Sequence, residues 1–551
     1  MGRRSKTRKQ SGNASKSSRP LAGREPQALE HGTGDRPFSG QPERQEAPRP
    51  IHQESASNEN SIVSGGGRVS LPHALFASVF LLCAVVLLWY ITDGNWRFAE
   101  PQWFTSYYDA VAERLLEGRL DVPAADLDHE VFLYQGKTYG YFGPTPALPR
   151  IFLNAMFPDT RGQWTRTLMW LTAVATLALN AALLSYCGFS RRSRLALAYF
   201  VTAALGSTLL FVTSWAITYQ EAMSWGVMLA VASLYSLLRY LREPRIQWLA
   251  AASLAAGFSF FARNATGAGP LLAVGIVTAL LWFRPALLDP DRASQPESVP
   301  AAKRPFSHKA LPAAILLACL ATYGAINYFK FGSTFEALPI RYHAFYKPEQ
   351  LAKIHGTLIH PEGAPRLLLD YLLRRPGFRK SFPWVVFSAQ NLVSIDWLLH
   401  KPLLAGAEVN AGVLVTMPAM FLLAILGVSV GLRNQAYRVP LRLLLLTPLV
   451  GVGVLVSITW ISQRYVHEFY PFVAVSAPFG LRWLADREPP QRARGYAILA
   501  VLMVWSLAAN PLLALHWQRE GSTWGCTPDC AYQYKEMREG IDRFILGRNP
   551  G

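Results

Sequence analysis

The chain has 551 residues, of which 51% are hydrophobic and 16% charged, and its formal net charge is +18. Soluble proteins usually carry closer to a quarter charged residues, and here the apolar residues come in long uninterrupted spans, which excludes an ordinary soluble protein. The span near 72–92 contains no Asp, Glu, Lys or Arg and is long enough to cross the roughly 30 Å hydrocarbon core as a helix. We therefore predict an all-α polytopic membrane protein.

Residues 1–70 form a polar, basic segment that precedes the first span. The segment is rich in Arg, Lys, Ser, Gly, Pro and Gln and poor in aliphatic residues. Because it cannot bury enough apolar surface to offset the entropy of ordering, we predict a disordered tail. Its charge favours cytoplasmic retention, with attraction to lipid headgroups as an addition and RNA binding as the weaker alternative. No nucleic-acid partner is expected.

Eleven apolar spans follow in chain order, near 72–92, 166–187, 195–216, 222–240, 247–262, 268–283, 310–328, 411–432, 441–460, 466–485 and 495–516. With the N-terminus in the cytoplasm, every inside loop contains Arg or Lys, namely 188–194, 241–246, 284–309, 433–440 and 486–494. The positive-inside rule supports this count, because one missed span would invert every later loop. The membrane domain is thus expected at 71–516, with an extracytoplasmic C-terminal tail at 517–551.

Two large loops, 93–165 and 329–410, are expected outside the cytoplasm, and each contains a predicted amphipathic helix. The stretch 104–117 has an apolar stripe at helical spacing, formed by Phe104, Tyr108, Val111 and Leu115. Its acidic residues follow on an adjacent face, as Asp109, Glu113 and Glu117. The stretch 366–375 predicts a helix on the membrane surface through Leu367, Leu368, Tyr371 and Leu372.

Motifs in these loops and at later span ends resemble those of bacterial GT-C class glycosyltransferases. They are YYDAVAERLLEGRLDVP at 107–123 with YGYFGPTPALPRI at 139–151, TYQEAMSWGVMLAVASLYSLLRYL at 218–241, NYFKFGSTFE at 327–336 and SQRYVHEFYPF at 462–472. Their order, spacing and expected side of the membrane together carry the resemblance, which covers most of 72–516. It points to polyprenyl-phosphate-sugar-dependent or mannosyltransferase-like members and to a GT-C-like fold.

The resemblance implies an inverting glycosyltransferase in a bacterial cytoplasmic membrane. Such an enzyme moves a hexose or pentose from a polyprenyl-phosphate carrier to an envelope lipid, glycan or protein on the extracytoplasmic face. A carboxylate in the first large loop would act as the general base, and an Arg would stabilise the leaving lipid phosphate. The alternatives are a transporter or flippase of lipid or polysaccharide precursors, and a non-catalytic membrane protein of envelope assembly.

Three carboxylates are candidates for the general base. Asp109 ranks first, because it lies in the segment that best matches the family. Asp93 follows directly after the first span, where the family often has an acidic pair, but here Gly-Asn-Trp comes next. Glu100 lies between them, and a structural role for Asp93 at a helix end is also open.

The predicted substrate-binding residues lie at span ends on the outer side. Glu221 begins the fourth span, where the helix dipole alone would also favour an acid. Arg464 and Tyr465 open the tenth span, and Arg464 is a candidate phosphate ligand or a snorkelling side chain. Glu468, with His467, is expected about one turn away and could pair with Arg464 or orient the acceptor.

Two further arginines and a cysteine pair complete the candidates. Arg263 ends the fifth span on the side where the positive-inside rule would not place it, which favours an anion site. Arg150 follows GPTPALP as a weaker substrate-binding candidate. Cys526 and Cys530, in CTPDC, could form a disulfide in an oxidising periplasm or stay free. No metal site is assigned, although a divalent metal near Glu221 remains an alternative.

Overall fold

The computed structural model describes residues 73–288, 304–336, 338–388, 402–433, 439–521 and 528–547. The long helices are α1 His73–Ile91, α4 Trp164–Tyr186, α5 Arg194–Leu205, α7 Thr218–Arg242, α8 Ile246–Ala262, α9 Asn264–Phe283, α10 Ser307–Phe331, α14 Pro418–Arg433, α17 Tyr470–Ala485, α18 Pro489–His516 and α19 Pro528–Leu546. The shorter helices are α2 Tyr107–Leu116, α3 Leu148–Met156, α6 Thr208–Thr213, α11 Pro348–Lys353, α12 Ala364–Leu373, α13 Val413–Thr416, α15 Val439–Leu446 and α16 Leu449–Val456.

Each of the eleven predicted spans coincides with one of these helices or with a consecutive pair. Seven segments are long and apolar enough to cross a membrane: Ala74–Ile91, Trp164–Tyr186, Arg194–Thr213, Thr218–Arg242, Asn264–Phe283, Ser307–Phe331 and Pro489–Glu520. The other four predicted spans correspond to shorter helices, namely α8, α14, α15 with α16, and α17. The all-α polytopic architecture is confirmed, whereas the direction in which the chain crosses the membrane stays a prediction.

The centre of the bundle is built from helices that touch closely through small residues. Helix α7 packs against α4, α8 and α9, and α14 packs along α17. A Cβ added at Gly480 would lie 1.9 Å from the carbonyl oxygen of Leu423, and one at Gly427 would lie 2.1 Å from that of Ser476. Only glycine permits this contact, so the two backbones meet directly. Helix α10 lies at the margin of the bundle, since only 11% of its apolar stretch is buried inside the protein.

The two large loops fold against one another and against one end of the bundle. In the first loop, β1 Phe132–Tyr134 and β2 Lys137–Tyr139 form an antiparallel hairpin, and Phe132 makes a bridge to His343 of the second loop. The second loop contributes a β3–β4 hairpin, Gly377–Phe378 with Val385–Val386. Its β5, Gly406–Ala407, pairs in parallel with β6, Trp460–Ile461.

Both helices predicted in the loops are present. The first is α2, and the second is α12, which packs its apolar face against α13 and α16 with Leu367 and Tyr371 fully buried. The predicted boundaries at 71 and 516 stay predictions. The tail at 1–70 lies outside the described residues.

Candidate functional site

A closed ionic cluster forms around Arg150, which is completely buried on α3. Its Nη1 and Nη2 donate to the two carboxylate oxygens of Glu221, at 2.7 and 2.9 Å, and its Nε donates to Asp109 Oδ2 at 3.3 Å. Thr165 accepts from Arg150 Nη2 at 2.9 Å and donates to Glu221 at 3.0 Å. Three candidates that are distant in sequence therefore share one interior salt-bridge network.

Both carboxylate oxygens of Asp109 already accept hydrogen bonds within this network. Its Oδ1 accepts a hydrogen bond from Asn154 Nδ2 at 2.9 Å, and its Oδ2 accepts from the Gly162 backbone N–H at 3.3 Å besides Arg150. Burial disfavours the charged form of Arg150, but Glu221 and Asp109 outweigh that effect and raise its pKa, so Arg150 stays charged. A general base must reach the hydroxyl proton of its substrate. The zero exposure of Asp109 instead supports a role in holding α2, α3 and α7 together.

A second cluster contains Asp93 and Glu100, the other two candidate bases. Arg166, on α4, donates to Asp93 Oδ2 at 3.0 Å and to Glu100 Oε2 at 2.6 Å. Arg519 lies 3.7 Å from Asp93, whose side chain is 30% exposed. Burial raises the pKa of Asp93, although Arg519 and Arg166 oppose the shift. Both carboxylates thus share one buried guanidinium.

A third cluster gathers Arg263 and Arg464 at one end of the bundle. Arg464 donates through Nη2 to Glu408 at 2.8 Å, and its guanidinium carbon lies 4.5 Å from the ring centre of Tyr219. Arg263, between α8 and α9, donates through Nε to Glu468. Among the described residues, the Nη atoms of Arg263 and the Nε and Nη1 atoms of Arg464 make no hydrogen bond. Both side chains remain partly exposed, at 13% and 12%.

Glu408 fixes the orientation of Arg464. Besides Arg464, its carboxylate accepts from Trp460 Nε1 at 3.2 Å and from Ser462 Oγ at 2.6 Å. Burial disfavours the charged form of Arg464, but Glu408 outweighs that effect and raises its pKa. The guanidinium therefore stays charged and is held from one side only.

Aromatic side chains surround the two arginines. Tyr465 lies beside both, with its ring centre 5.1 Å from the guanidinium carbon of Arg263 and 5.6 Å from that of Arg464. The pKa of Tyr141 is raised by burial and by nearby Glu130, and the charges of Arg263 and Arg464 oppose the shift. Tyr465 therefore contributes the ring that the two arginines share.

Glu130 is the carboxylate that adjoins this wall of rings. It accepts a short hydrogen bond from the hydroxyl of Tyr219, the residue whose ring covers Arg464. Its second oxygen lies 3.6 Å from His343 Nε2. Burial, followed by Glu130 and Tyr465, raises the pKa of Tyr346 to about 12. Glu130, the two arginines and the tyrosines therefore form one site between the two large loops and the helix ends.

The structure pairs two of the predicted residues differently from the expectation. Glu468 contacts Arg263 and Thr266 rather than Arg464. Residues 463–469 form a 3₁₀ helix, in which side chains four positions apart point in different directions, whereas the expectation of one helical turn assumed α-helical geometry. Glu468 therefore holds Arg263, and the second-loop residue Glu408 takes Arg464.

Glu130, Glu408 and Arg166 were missed as site residues by the sequence analysis. Glu130 opens EVFLYQ, directly before the β1–β2 hairpin, and that position was the one available signal. Glu408 has no local motif, because its role depends on the pairing of β5 with β6.

The remaining candidates concern metals and cysteines. No group of three or more His, Cys, Asp or Glu side chains is arranged to hold a metal within the described ranges. Cys83, Cys187 and Cys319 are free thiols. Cys526 lies outside the described residues, so its pairing with Cys530 stays a prediction.

No protein-family model matches the chain, and no curated protein matches it. Among solved structures, apo oligosaccharyltransferase from Archaeoglobus fulgidus matches at 15% identity and TM-score 0.42, covering 86% of this chain and 60% of that one. ArnT from Cupriavidus metallidurans bound to undecaprenyl phosphate matches at 14% identity and TM-score 0.36, covering 78% and 63%. The chain thus spans about 60% of the length of these structures. At identities and TM-scores this low, these matches carry no conclusion about the fold or the activity of this chain.

Proposed function

We propose that the chain is an inverting glycosyltransferase that moves a sugar from a polyprenyl-phosphate donor to an envelope acceptor on the extracytoplasmic face. The observation that carries the proposal is the pair Arg263 and Arg464. Both are charged, both are held on one side by a carboxylate, and both keep unengaged donor atoms within a partly open site. A phosphate group is the natural acceptor for such donors.

The chemistry follows from where negative charge develops. When the bond between the anomeric carbon and the phosphate oxygen breaks, charge builds up on the lipid phosphate. Guanidinium donors fixed in advance stabilise that charge without reorganising, which is the main source of electrostatic catalysis. Glu408 and Glu468 supply this fixation by taking one donor group of each arginine.

The location also suits a lipid-linked donor. Arg263 lies where α8 meets α9, Arg464 precedes α17, and Tyr219 lies in the first turn of α7. These helix ends meet in one cluster, as the predicted topology requires of residues that share a side. A phosphate at a helix end lies at headgroup depth while its prenyl chain stays in the bilayer.

The proposal is tested with purified protein and undecaprenyl phosphate as the binding probe. We expect Arg464→Gln to weaken binding at least tenfold, because a charge-assisted hydrogen bond contributes about 1.5–3 kcal/mol. Arg341→Gln is the matched control: Arg341 also pairs with a carboxylate, Glu336, and stacks on Tyr342 at 4.6 Å, but its side chain is 47% exposed outside the site.

Transfer is then measured with a panel of radiolabelled polyprenyl-phosphate hexoses and pentoses, with native membranes as the acceptor. The proposal requires wild-type protein to release polyprenyl phosphate with at least one donor, and Arg464→Gln to lose that activity. Tight binding of undecaprenyl phosphate without transfer from any donor would favour a flippase. Equal binding by Arg464→Gln and wild type would remove the arginine site from the mechanism.

A further inference from the structure

We infer that Glu130 is the carboxylate that removes the proton from the attacking acceptor hydroxyl, an inference that rests on the proposed function. Its carboxylate and the candidate phosphate site are both in contact with the same tyrosine, Tyr219. The hydroxyl of Tyr219 donates to Glu130 Oε1, and the ring of the same Tyr219 covers the guanidinium of Arg464. The base thus lies at the hydroxyl end of the same ring whose face covers the leaving-group site.

The ionic environment of Glu130 differs from that of the other acids in the three clusters. Asp109 and Glu221 both pair with the buried Arg150, Glu408 holds Arg464, and Glu468 holds Arg263. Asp93 and Glu100 share Arg166. Within the described chain, the one basic side chain within 4 Å of the Glu130 carboxylate is His343, at 3.6 Å. Glu130 is therefore the acid of this set that no guanidinium holds, among the described residues.

Access distinguishes Glu130 from the two acids of the Arg150 cluster. Its side chain is 18% exposed, whereas those of Asp109 and Glu221 are 0% exposed. An acceptor hydroxyl can therefore approach Glu130 from solvent, and it cannot approach the Arg150 cluster. A general base needs such reach before any other property matters.

His343 and Tyr219 orient the Glu130 carboxylate. The backbone N–H of Phe345 donates to His343 Nδ1 at 3.3 Å, which assigns the proton of a neutral imidazole to Nε2. That Nε2 faces Glu130 Oε2 across a gap too long for a hydrogen bond. Oε1 is already engaged by Tyr219, so Oε2 is the oxygen left to accept the proton.

The step balances as a single displacement. The acceptor oxygen forms a bond to the anomeric carbon while the bond from that carbon to the phosphate oxygen breaks. Its electron pair leaves on polyprenyl phosphate, next to Arg263 and Arg464, and the acceptor proton passes to Glu130. The products are the glycoside and polyprenyl phosphate, and Glu130 afterwards returns its proton to solvent.

The test compares Glu130→Gln with Glu130→Asp and with Glu349→Gln, an exposed acid-to-amide control on α11. We expect Glu130→Gln to lower kcat for release of polyprenyl phosphate about 10²- to 10⁴-fold, the usual contribution of a general base. Binding of undecaprenyl phosphate should be unchanged. Glu130→Asp should recover part of the activity, and the acid limb of the pH–rate profile should disappear in Glu130→Gln.

The outcomes separate the inference from the proposed function. A wild type that binds undecaprenyl phosphate and transfers sugar, together with a fully active Glu130→Gln, overturns the inference and leaves the proposed function standing. Loss of undecaprenyl phosphate binding in Glu130→Gln also overturns it, because a base should not hold the donor phosphate. A wild type without binding or transfer overturns both. Tyr219→Phe adds a second measure, since it keeps the ring on Arg464 but should lower kcat.

Discussion

Two clusters in this molecule, one around Arg150 and one around Arg464, use the same kind of side chain for opposite purposes. Arg150 has its Nε and both Nη groups bonded to oxygen acceptors and is sealed from solvent. Arg464 has one bonded carboxylate, and its guanidinium lies beside the rings of Tyr219 and Tyr465. The first arrangement has no donor left for a ligand, and the second keeps donors available.

The difference shows that the role of a charged side chain in a membrane protein can be inferred only when its existing hydrogen bonds are also counted. A buried ion pair is strongly destabilised when one partner is lost, because the other charge remains without compensation. A partly open arginine with free donors contributes less to folding and more to binding. The two clusters should therefore respond differently to matched substitutions.

The largest expected effect is on stability, in Arg150→Met. We expect a loss of about 3–5 kcal/mol in the free energy of unfolding, because Asp109 and Glu221 would stay buried without a cation. Denaturation of the detergent-solubilised protein measures it. Arg161→Met is the control: Arg161 also pairs with two carboxylates, Glu113 and Asp126, but its side chain is 42% exposed.

The control should lose no more than about 1 kcal/mol, as is usual for exposed ion pairs. Adding Glu221→Gln and Asp109→Asn to Arg150→Met should restore part of the loss, since the uncompensated charges are then removed. If Arg150→Met were as mild as Arg161→Met, the two arginine clusters would not differ in the way proposed.

The next effect is on activity, in Arg464→Lys. A lysine keeps the charge but loses the forked donor geometry. We expect kcat/KM for the polyprenyl-phosphate sugar to fall about ten- to a hundredfold, which corresponds to the 1.5–3 kcal/mol of a charge-assisted hydrogen bond. The free energy of unfolding should hardly change. An unfolding loss that matches Arg150→Met, with kcat/KM retained, would contradict the assignment of Arg464 to the open site.

A smaller effect is expected for Glu408→Gln, which tests a positioning role. Removing a negative charge beside Arg464 should leave binding of undecaprenyl phosphate at least as tight as in wild type. The kcat should nevertheless fall about tenfold, because the guanidinium loses a charged partner that fixes its direction. Separate measurement of undecaprenyl phosphate affinity and kcat shows this split. A purely structural role would lower both through loss of folded protein.

The sequence allowed the architecture to be predicted more fully than the site. Apolar spans and loop charges located the helices, because the bilayer restricts length and composition so strongly. The positive-inside rule singled out Arg263, and the family resemblance singled out Arg464. They could not show that Asp109, Arg150 and Glu221 share one buried cluster, since the separations of 41 and 71 residues between consecutive members are closed only by tertiary packing. Glu408 could not be predicted from the sequence either, because a parallel strand pair brings it to Arg464.

The smallest effect concerns the Asp93 cluster, which is intermediate between the two arginine clusters. Burial raises the pKa of Asp93 above its usual value, so the folded protein holds this proton more tightly than the unfolded chain. This contribution to stability is complete below about pH 4, the ordinary Asp value, and is lost as pH rises through the raised folded pKa. The Asp93→Asn variant has no carboxyl group at this position and therefore does not lose stability as pH rises. Its stability relative to wild type should increase with pH. Unfolding midpoints across that range test the sign, and a relative stability that falls with pH would mean that Arg166 and Arg519 outweigh burial. Transfer measured on the same samples tests the sequence-based alternative, because Asp93→Asn would abolish it if Asp93, rather than Glu130, were the base.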